Sequence, residues 1–382
     1  MKLVFNVVLT LIIVSGLLLM GCSEPAPEPT TSPSPSASPT PAEPDKVYEL
    51  TYAMFQPEKA ALSVMNTEFA REIEKRTNNR VKITIHPGGS LLGAPAMYSG
   101  VIDGIADMGN AVSSYDPGAF PFTSIAELPT NAESGWAVSN ALYDFMQEYQ
   151  PEEWKDVHIL TTCSTAADFL AIYMGKKEVK TMEDWKGLSV RTNHADIVAA
   201  MGGTVKDVPM SDVYDSLSKG VLDAVMGSPE PLKSWKFGEV CDYVTVNAAP
   251  VQPSILWYNA MNKDTWEKLP ADIQQIISDV SREYSAKLGL TWDDQAVAGI
   301  EHSVSLGKSV YMLPKEEEDR WTAAILPIVD ERLATVAKEG NLSAEEVEEI
   351  WTYFKGRVDY WNGQQAANDV TPVIERIDEV MK

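Results

Sequence analysis

The residue best suited to bind an anion in this chain is Arg191, which ends a short alternating segment at residues 188–192. Leu188, Val190 and Thr192 alternate as in a strand, and the neighbours of the arginine are small or polar. A guanidinium offers a carboxylate two parallel N–H donors, which an ammonium cannot do. The pattern therefore allows a carboxylate-binding site. An ion pair with one of the 55 acidic residues of the chain is an equally acceptable interpretation.

The segments after Arg191 indicate the elements that would position it. A glycine pair at residues 202–203 precedes a helix predicted from Asp212 to Lys219, with Ser211 as its N-cap. Gly220 ends that helix before an apolar run. In α/β proteins, a strand followed by a helix and a second strand brings the end of the first strand to a crevice. Arg191, at such a strand end, would lie in that crevice.

Signatures of an enzyme are absent from the sequence. It contains no G-x-S-x-G elbow and no H-E-x-x-H helix, and the glycine-rich turn at residues 87–93 lacks the lysine of a P-loop and the spacing of a dinucleotide-binding turn. Four scattered histidines and three cysteines give no metal-ligand spacing. We expect no catalysis, no cofactor and no metal. A cell-envelope lipoprotein hydrolase acting on small acidic metabolites is the alternative. An adhesive lipoprotein would show repeats, which the sequence lacks.

The charge and the N-terminal segment indicate an exported protein. A net charge of −24 argues against nucleic acid as a partner. Residues 1–21 combine Lys2, an apolar run and Leu-Met-Gly before Cys22, which resembles a lipobox; an ordinary signal peptide and a single anchor helix are the alternatives. Residues 22–46 are rich in proline, serine and threonine and predict a solvated tether. We expect the protein in the periplasm or on the outer face of the cell membrane, held by lipid on Cys22.

Strand and helix patterns alternate beyond the tether, which predicts an α/β fold. A helix over residues 60–76 places Val64, Phe69 and Ile73 on one face, and a long helix from Pro270 repeats apolar residues every three or four positions. Cys163 and Cys241 lie in apolar surroundings, so we expect free thiols, although a disulfide is compatible with export.

Residues 187–242 resemble the signature region of the solute-binding proteins of TRAP transporters (tripartite ATP-independent periplasmic transporters). The chain reads Gly-Leu-Ser-Val-Arg for the G-L-K-x-R strand of the family, Pro-Met-Ser-Asp-Val-Tyr-Asp-Ser-Leu for its P-x-S-E-V-Y-x-A-L helix, and Gly-Val-Leu-Asp-Ala for G-V-V-D-G. Residues 69–81, 87–93, 100–104 and 180–187 also match the pattern of the family. The resemblance covers nearly all of the chain after the leader.

This resemblance implies a two-lobed, periplasmic-binding-protein-like clamshell of α/β class, with a long helix that spans both lobes. Residues 47–168 and 253–292 would form the first lobe, and residues 169–252 and 293–382 the second. The lobes would close on a small carboxylate, and the closed form would deliver it to an integral-membrane TRAP permease driven by an ion gradient. We expect a monomer.

The resemblance also implies the site residues, with Arg191 binding the carboxylate of the ligand. The other positions carried over from the family are Phe55, Gln56, Asn110, Ala111, Met210, Met226, Gly227 and Ser228, and the sequence adds Trp257 as an apolar neighbour. Core packing is the alternative for each methionine and tryptophan.

Two departures from the family remove polar groups from this site. Some members have a second arginine where this chain has Ala171 or Ile172, and a frequent asparagine is replaced by Gly227 or Ser228. The sequence therefore predicts a pocket that is apolar apart from one cation. We expect a monocarboxylate with an apolar or aromatic body, such as an aromatic or branched 2-oxo acid.

Overall fold

The computed structural model describes residues 46–116, 118–166, 171–247 and 253–382. The predicted signal peptide, Cys22 and the tether up to residue 45 lie outside these described residues. The strands are β1 (Tyr48–Met54), β2 (Val81–His86), β3 (Met108–Val112), β4 (Val157–Cys163), β5 (Ala171–Met174), β6 (Ser189–Arg191), β7 (Thr204–Val205), β8 (Ala224–Gly227), β9 (Tyr243–Val246), β10 (Trp257–Asn262) and β11 (Ser309–Met312). The helices are α1 (Ala61–Arg76), α2 (Met97–Ile102), α3 (Gly135–Tyr149), α4 (Ala195–Ala200), α5 (Val213–Ser218), α6 (Pro231–Ser234), α7 (Lys263–Glu267), α8 (Ala271–Ser305), α9 (Lys315–Glu339), α10 (Ala344–Gln364) and α11 (Val373–Met381).

The strands form two mixed sheets. The first is five-stranded in the order β2-β1-β3-β10-β4, and the second is six-stranded in the order β11-β9-β5-β8-β6-β7. In the first sheet β1 runs parallel to β2 and β3, whereas β10 is antiparallel to β3 and β4. In the second sheet β6 runs parallel to β7 and β8, and β5 is antiparallel to β8 and β9. The predicted α/β class with two sheet-centred lobes is confirmed.

Helix α8 packs against both sheets. Its N-terminal half buries Ile273, Ile277 and Val280 in the core of the first sheet, and its C-terminal part buries Ala296 and Ile300 in the core of the second. The expectation of a long helix that spans both lobes is therefore confirmed. Neither α8 nor another helix within the described residues is long and apolar enough to cross a membrane.

The C-terminal helices divide between the two cores. Helix α9 packs Trp321 and Ile325 against the second sheet, but its last turns place Val336 in the core of the first. Helix α10 then packs Ile350 and Phe354 beside α3 in that first core. The lobe boundaries stay a prediction, in which residues 293–382 belong to the second lobe; the observed packing places α10 with the core of the first sheet, because α9 carries the chain from one core to the other.

Two local expectations differ from the structure. Ser211 does not cap a helix: it lies in a 3-10 turn over Met210–Asp212 that Pro209 starts, and α5 begins one residue later, at Val213. Val64 is 46% exposed, so the buried face of α1 is formed by Phe69, Ile73 and their neighbours without it.

The two cysteines of the described residues are free. Cys163 ends β4, whereas Cys241 lies in the core of the second sheet, and both are buried. Burial raises the pKa of Cys241 to about 12, and desolvation also raises the pKa of Cys163 well above its usual range.

Candidate functional site

Arg191 is held at the end of β6 by interactions that its sequence motif supplies. Upstream, Thr181 and Asp184 form a reciprocal capping box, which fixes a turn that buries Trp185 against Trp321. The strand then pairs with β8 in parallel, with Arg191 opposite Val225. These contacts place Arg191 at the carboxyl end of β6. In α/β proteins, ligands bind in the crevice outside the carboxyl ends of the strands.

The guanidinium of Arg191 makes no ion pair and no hydrogen bond with the residues that the structure describes. Arg282 lies over the ring of Tyr143, and each remaining arginine in the same ranges forms an ion pair with a carboxylate: Arg71, Arg76, Arg80, Arg320, Arg332, Arg357 and Arg376. The alternative that Arg191 pairs with an acidic residue of its own chain is therefore not observed within these ranges.

A crevice between the two sheets surrounds Arg191. It encloses about 740 Å³ of space not occupied by atoms, part of which is open solvent. Its lining residues come from both sheets and from α8: Phe55, Gln56, Ala60, Leu62, Val112, Tyr115, Tyr173, Arg191, Asn193, Met210, Met226, Gly227, Ser228, Glu230, Pro231, Trp235, Ile255, Trp257 and Trp292.

Aromatic rings form the wall of the crevice on the side of the first sheet. Phe55 stacks on Trp257 at 5.9 Å between ring centroids and meets Tyr115 edge-on at 5.5 Å. Trp257 in turn contacts Trp292 of α8 at 5.1 Å. Because each ring is held by its neighbours, the wall offers a preformed apolar surface to a ligand.

The structure brings most of the predicted site residues together. Arg191, Phe55, Gln56, Met210, Met226, Gly227, Ser228 and Trp257 line one crevice. Asn110 and Ala111 do not line it: they are buried within β3. The amide of Asn110 instead accepts a hydrogen bond from Nε2 of Gln56 at 3.0 Å, so it supports a lining residue from behind.

Glu230 is a lining residue that sequence reasoning missed. It directly precedes α6 and is 8% exposed. Helix α8 approaches the preceding residue closely at Gly299, where an added Cβ would lie 2.0 Å from the carbonyl oxygen of Pro229. This close contact fixes the backbone at Glu230. Desolvation raises the pKa of Glu230 to about 7, against an opposing hydrogen bond from Ser234. No local sequence pattern links Glu230 to Arg191, because only the fold brings these two residues to one crevice. Asn193, Tyr115, Tyr173 and Trp292 were missed for the same reason.

Comparison with known proteins identifies the class. The model of the family "Bacterial extracellular solute-binding protein, family 7" matches residues 53–335. This chain belongs to that family and is a substrate-binding protein of the TRAP transporter type. Members of the family are binding proteins, so the protein is not an enzyme and the hydrolase alternative is set aside.

Individual relatives agree with this assignment. A solute-binding protein of Albidiferax ferrireducens is 26% identical over 56% of this chain and 64% of its own length, so the chain spans less than two thirds of that relative. A TRAP periplasmic solute-binding protein of Desulfovibrio salexigens is 29% identical, with a TM-score of 0.71 over 82% of this chain and 96% of the other. A TRAP solute-binding protein of Rhodoferax ferrireducens, solved with copurified benzoate, shares the fold with a TM-score of 0.76 at 22% identity, over 83% and 99% of the two chains.

Proposed function

We propose that this protein captures a monocarboxylate with an apolar or aromatic body and that Arg191 binds the carboxylate. The observation that supports it most directly is an arginine without a carboxylate partner among the described residues, in a crevice walled by stacked aromatic rings. A partly desolvated guanidinium binds a carboxylate through two parallel hydrogen bonds, and the ring faces cover the apolar body. The benzoate held by the Rhodoferax protein is a molecule of this chemical class.

The charges at the crevice favour one carboxylate over two. Arg191 is the cationic side chain that lines it within the described ranges, and Glu230 lines it as well. A second carboxylate on the ligand would find no cation there and would meet a like charge whenever Glu230 is ionised. Lys206 lines only the adjoining outer cavity, together with Asp207.

We also propose how capture leads to transport. The first lobe (residues 47–168 and 253–292, with α10) and the second (residues 169–252 and 293–382, without α10) close on the ligand, and the closed monomer delivers it to a TRAP permease. A lipid on Cys22 keeps the protein at the outer face of the membrane. Partition of the full chain into detergent, lost in Cys22→Ala, is the result expected from the anchor; partition unchanged by that substitution would contradict it.

Isothermal titration and thermal melting against a panel of ligands test the proposed function. The panel contains benzoate, 2-oxo acids, dicarboxylates and neutral sugars, and the protein is first freed of copurified ligand by unfolding and refolding. We expect aromatic or branched monocarboxylates to bind and to raise the melting temperature. Arg191→Ala should weaken this binding by about 30-fold or more, because removing one partner of a desolvated charge pair costs about 2–5 kcal/mol.

Arg282→Ala provides the matched control, since Arg282 also lacks an ion pair within the described residues but lies over Tyr143 outside the crevice. This variant should bind as the wild type does. Binding of neutral sugars alone, or carboxylate binding that survives Arg191→Ala, would contradict the proposal.

A further inference from the structure

Glu230 brings a carboxyl group into the crevice that contains Arg191. It lines this crevice and not the outer cavity beside it, and only 8% of the residue is exposed. A carboxylate offers about four lone-pair sites, and the hydroxyl of Ser234 in α6 can fill one of them. Within the described residues, no oxygen of Glu230 is both without a partner and fully enclosed, so the remaining sites are accessible from the crevice.

No cation of the described residues neutralises Glu230. It forms no ion pair with Arg191 or with another side chain in those ranges. Burial raises its pKa to about 7, and the effect that opposes this rise is the hydrogen bond from Ser234 rather than a nearby positive charge. The crevice therefore has an unpaired guanidinium at the end of β6 and an unpaired carboxyl group before α6, at separate places in its wall.

We propose that Glu230 determines specificity and that the ligand carries a protonated amine on its apolar or aromatic body, away from the carboxylate, which pairs with Glu230. This inference rests on the proposed function, since Arg191 must bind the carboxylate of the same ligand. An ionised carboxylate that is nearly buried is costly without a partner, and a ligand ammonium supplies a counter-ion and hydrogen-bond donors together. A monocarboxylate without an amine binds as well, but it requires Glu230 to be protonated.

The pH dependence of binding gives this role a signature that a purely structural role of Glu230 would not produce. The ionised form of Glu230 binds the ammonium, and an aliphatic amine stays protonated over the range from pH 6 to pH 8. The affinity for an amine-bearing ligand should therefore rise by about tenfold between these two pH values, as Glu230 ionises. The affinity for the same ligand without its amine should fall over that range.

Other ionisable side chains lie in the crevice or on the helices beside Glu230. They are Arg191, Tyr115 and Tyr173 in the crevice, the exposed Lys233 of α6, and Asp293 and His302 of α8, which packs against α6. Neither Asp293 nor His302 lines the crevice. All six remain in Glu230→Gln, so this variant separates the contribution of Glu230 from theirs.

Matched sets of ligands test the inference by titration of ligand-free protein. The 3- and 4-(aminomethyl)benzoates are compared with the corresponding methylbenzoates and (hydroxymethyl)benzoates, and 6-aminohexanoate is compared with hexanoate. At pH 8 we expect the best amine-bearing ligand to bind about tenfold or more tightly than its counterpart without nitrogen. The hydroxymethyl compounds donate a hydrogen bond without a charge and should gain less. No gain from any amine, or an equal gain from a hydroxymethyl group, would overturn the inference.

Glu230→Gln tests the residue itself, because glutamine keeps the size of the side chain and removes its charge. The variant should lose both the preference for the amine and the rise of its affinity with pH. At pH 8 it should bind the methylbenzoates more tightly than the wild type does, since no ionised carboxylate faces the ligand. An amine preference that persists in Glu230→Gln would overturn the role of Glu230.

Arg191→Ala distinguishes failure of this inference from failure of the proposed function. If the methylbenzoates and hexanoate bind no better to the wild type than to Arg191→Ala, the proposed function fails. If they bind through Arg191 but an amine adds no affinity at pH 8, only the inference about Glu230 fails.

Discussion

Arg191 and Glu230 give the crevice two ionisable groups with opposite effects on an anion. Arg191 attracts a carboxylate, and no described residue competes for its guanidinium. Glu230 is kept partly protonated near neutral pH, because burial raises its pKa to about 7. An anionic ligand binds more favourably when Glu230 is neutral, so affinity should depend on pH in a range where the ligand itself stays ionised.

We predict that the affinity for a monocarboxylate falls by about tenfold between pH 6 and pH 8. The carboxyl group of Glu230, with a pKa of about 7, is about nine-tenths protonated at pH 6 and about one-tenth protonated at pH 8. Binding of an anion selects the neutral form of this group. Glu230→Gln should bind with an affinity that is nearly constant over this range, measured by titration calorimetry. The other titratable groups at the crevice are Arg191, Tyr115 and Tyr173, with Lys206 and Asp207 at its outer part. A tenfold fall that persists in Glu230→Gln would show that another group causes it.

The candidate site was predictable to the extent that single residues carry their own signal. Arg191 could be found from its type, its place at a strand end and its motif. Phe55 and Met210 followed from the family pattern. Asn110 was expected in the crevice but supports Gln56 from within the sheet, and Glu230 was not expected at all. Both depend on contacts between segments far apart in the sequence, which no local pattern encodes.

At the scale of elements, α3 and α8 cross with their backbones in close contact. Gly135 of α3 and Gly289 of α8 face each other, and a Cβ added to Gly289 would lie 2.3 Å from the carbonyl oxygen of Gly135. Asp293, one turn further along α8, accepts a bifurcated hydrogen bond from the single N–H of Gly135, with its Oδ1 at 2.7 Å and its Oδ2 at 2.9 Å from the nitrogen. Burial raises the pKa of Asp293 to about 7. The two helices are thus held by backbone contact and by a capping carboxylate.

We predict that Gly289→Ala lowers the free energy of unfolding by about 1–3 kcal/mol, measured by urea denaturation, because the new methyl group meets backbone that cannot move aside cheaply. Gly356→Ala is the matched control. Gly356 also lies inside a helix, α10, but an added Cβ meets nothing within 4 Å. That variant should gain up to about 1 kcal/mol from helix propensity alone. Equal stability of the two variants would mean that α3 and α8 can separate without cost.

The elements themselves were more predictable than their assembly. Apolar periodicity located α1 and the start of α8 to within about a residue, since amphipathic patterns reflect burial directly. The same patterns could not assign α10 to a core, because an apolar helix face does not specify which sheet covers it. The start of α5 at Val213 depended on a 3-10 turn that competes with capping at Ser211.

At the scale of the whole molecule, the proposed function requires a strongly negative protein to admit a negative ligand. The chain carries a net charge of −24, and the cationic side chains that line the crevice and its outer part among the described residues are Arg191 and Lys206. A field of this sign repels an approaching anion over the Debye length, which is about 30 Å at 10 mM salt and about 8 Å at 150 mM. Arg191 acts only at short range, after the ligand has entered.

We therefore predict that the association rate constant of the carboxylate rises about severalfold between 10 and 150 mM NaCl, because salt screens the long-range repulsion. Stopped-flow tryptophan fluorescence can follow binding, since Trp257 and Trp292 line the crevice. The dissociation rate constant, set by contacts within the crevice, should change less. Lys206→Ala should slow association further at low salt. Lys219→Ala, which removes an exposed lysine paired with Asp215, should slow association less than Lys206→Ala does. An association rate that falls with salt would mean that the local positive charge of Arg191 and Lys206 outweighs the charge of the whole molecule.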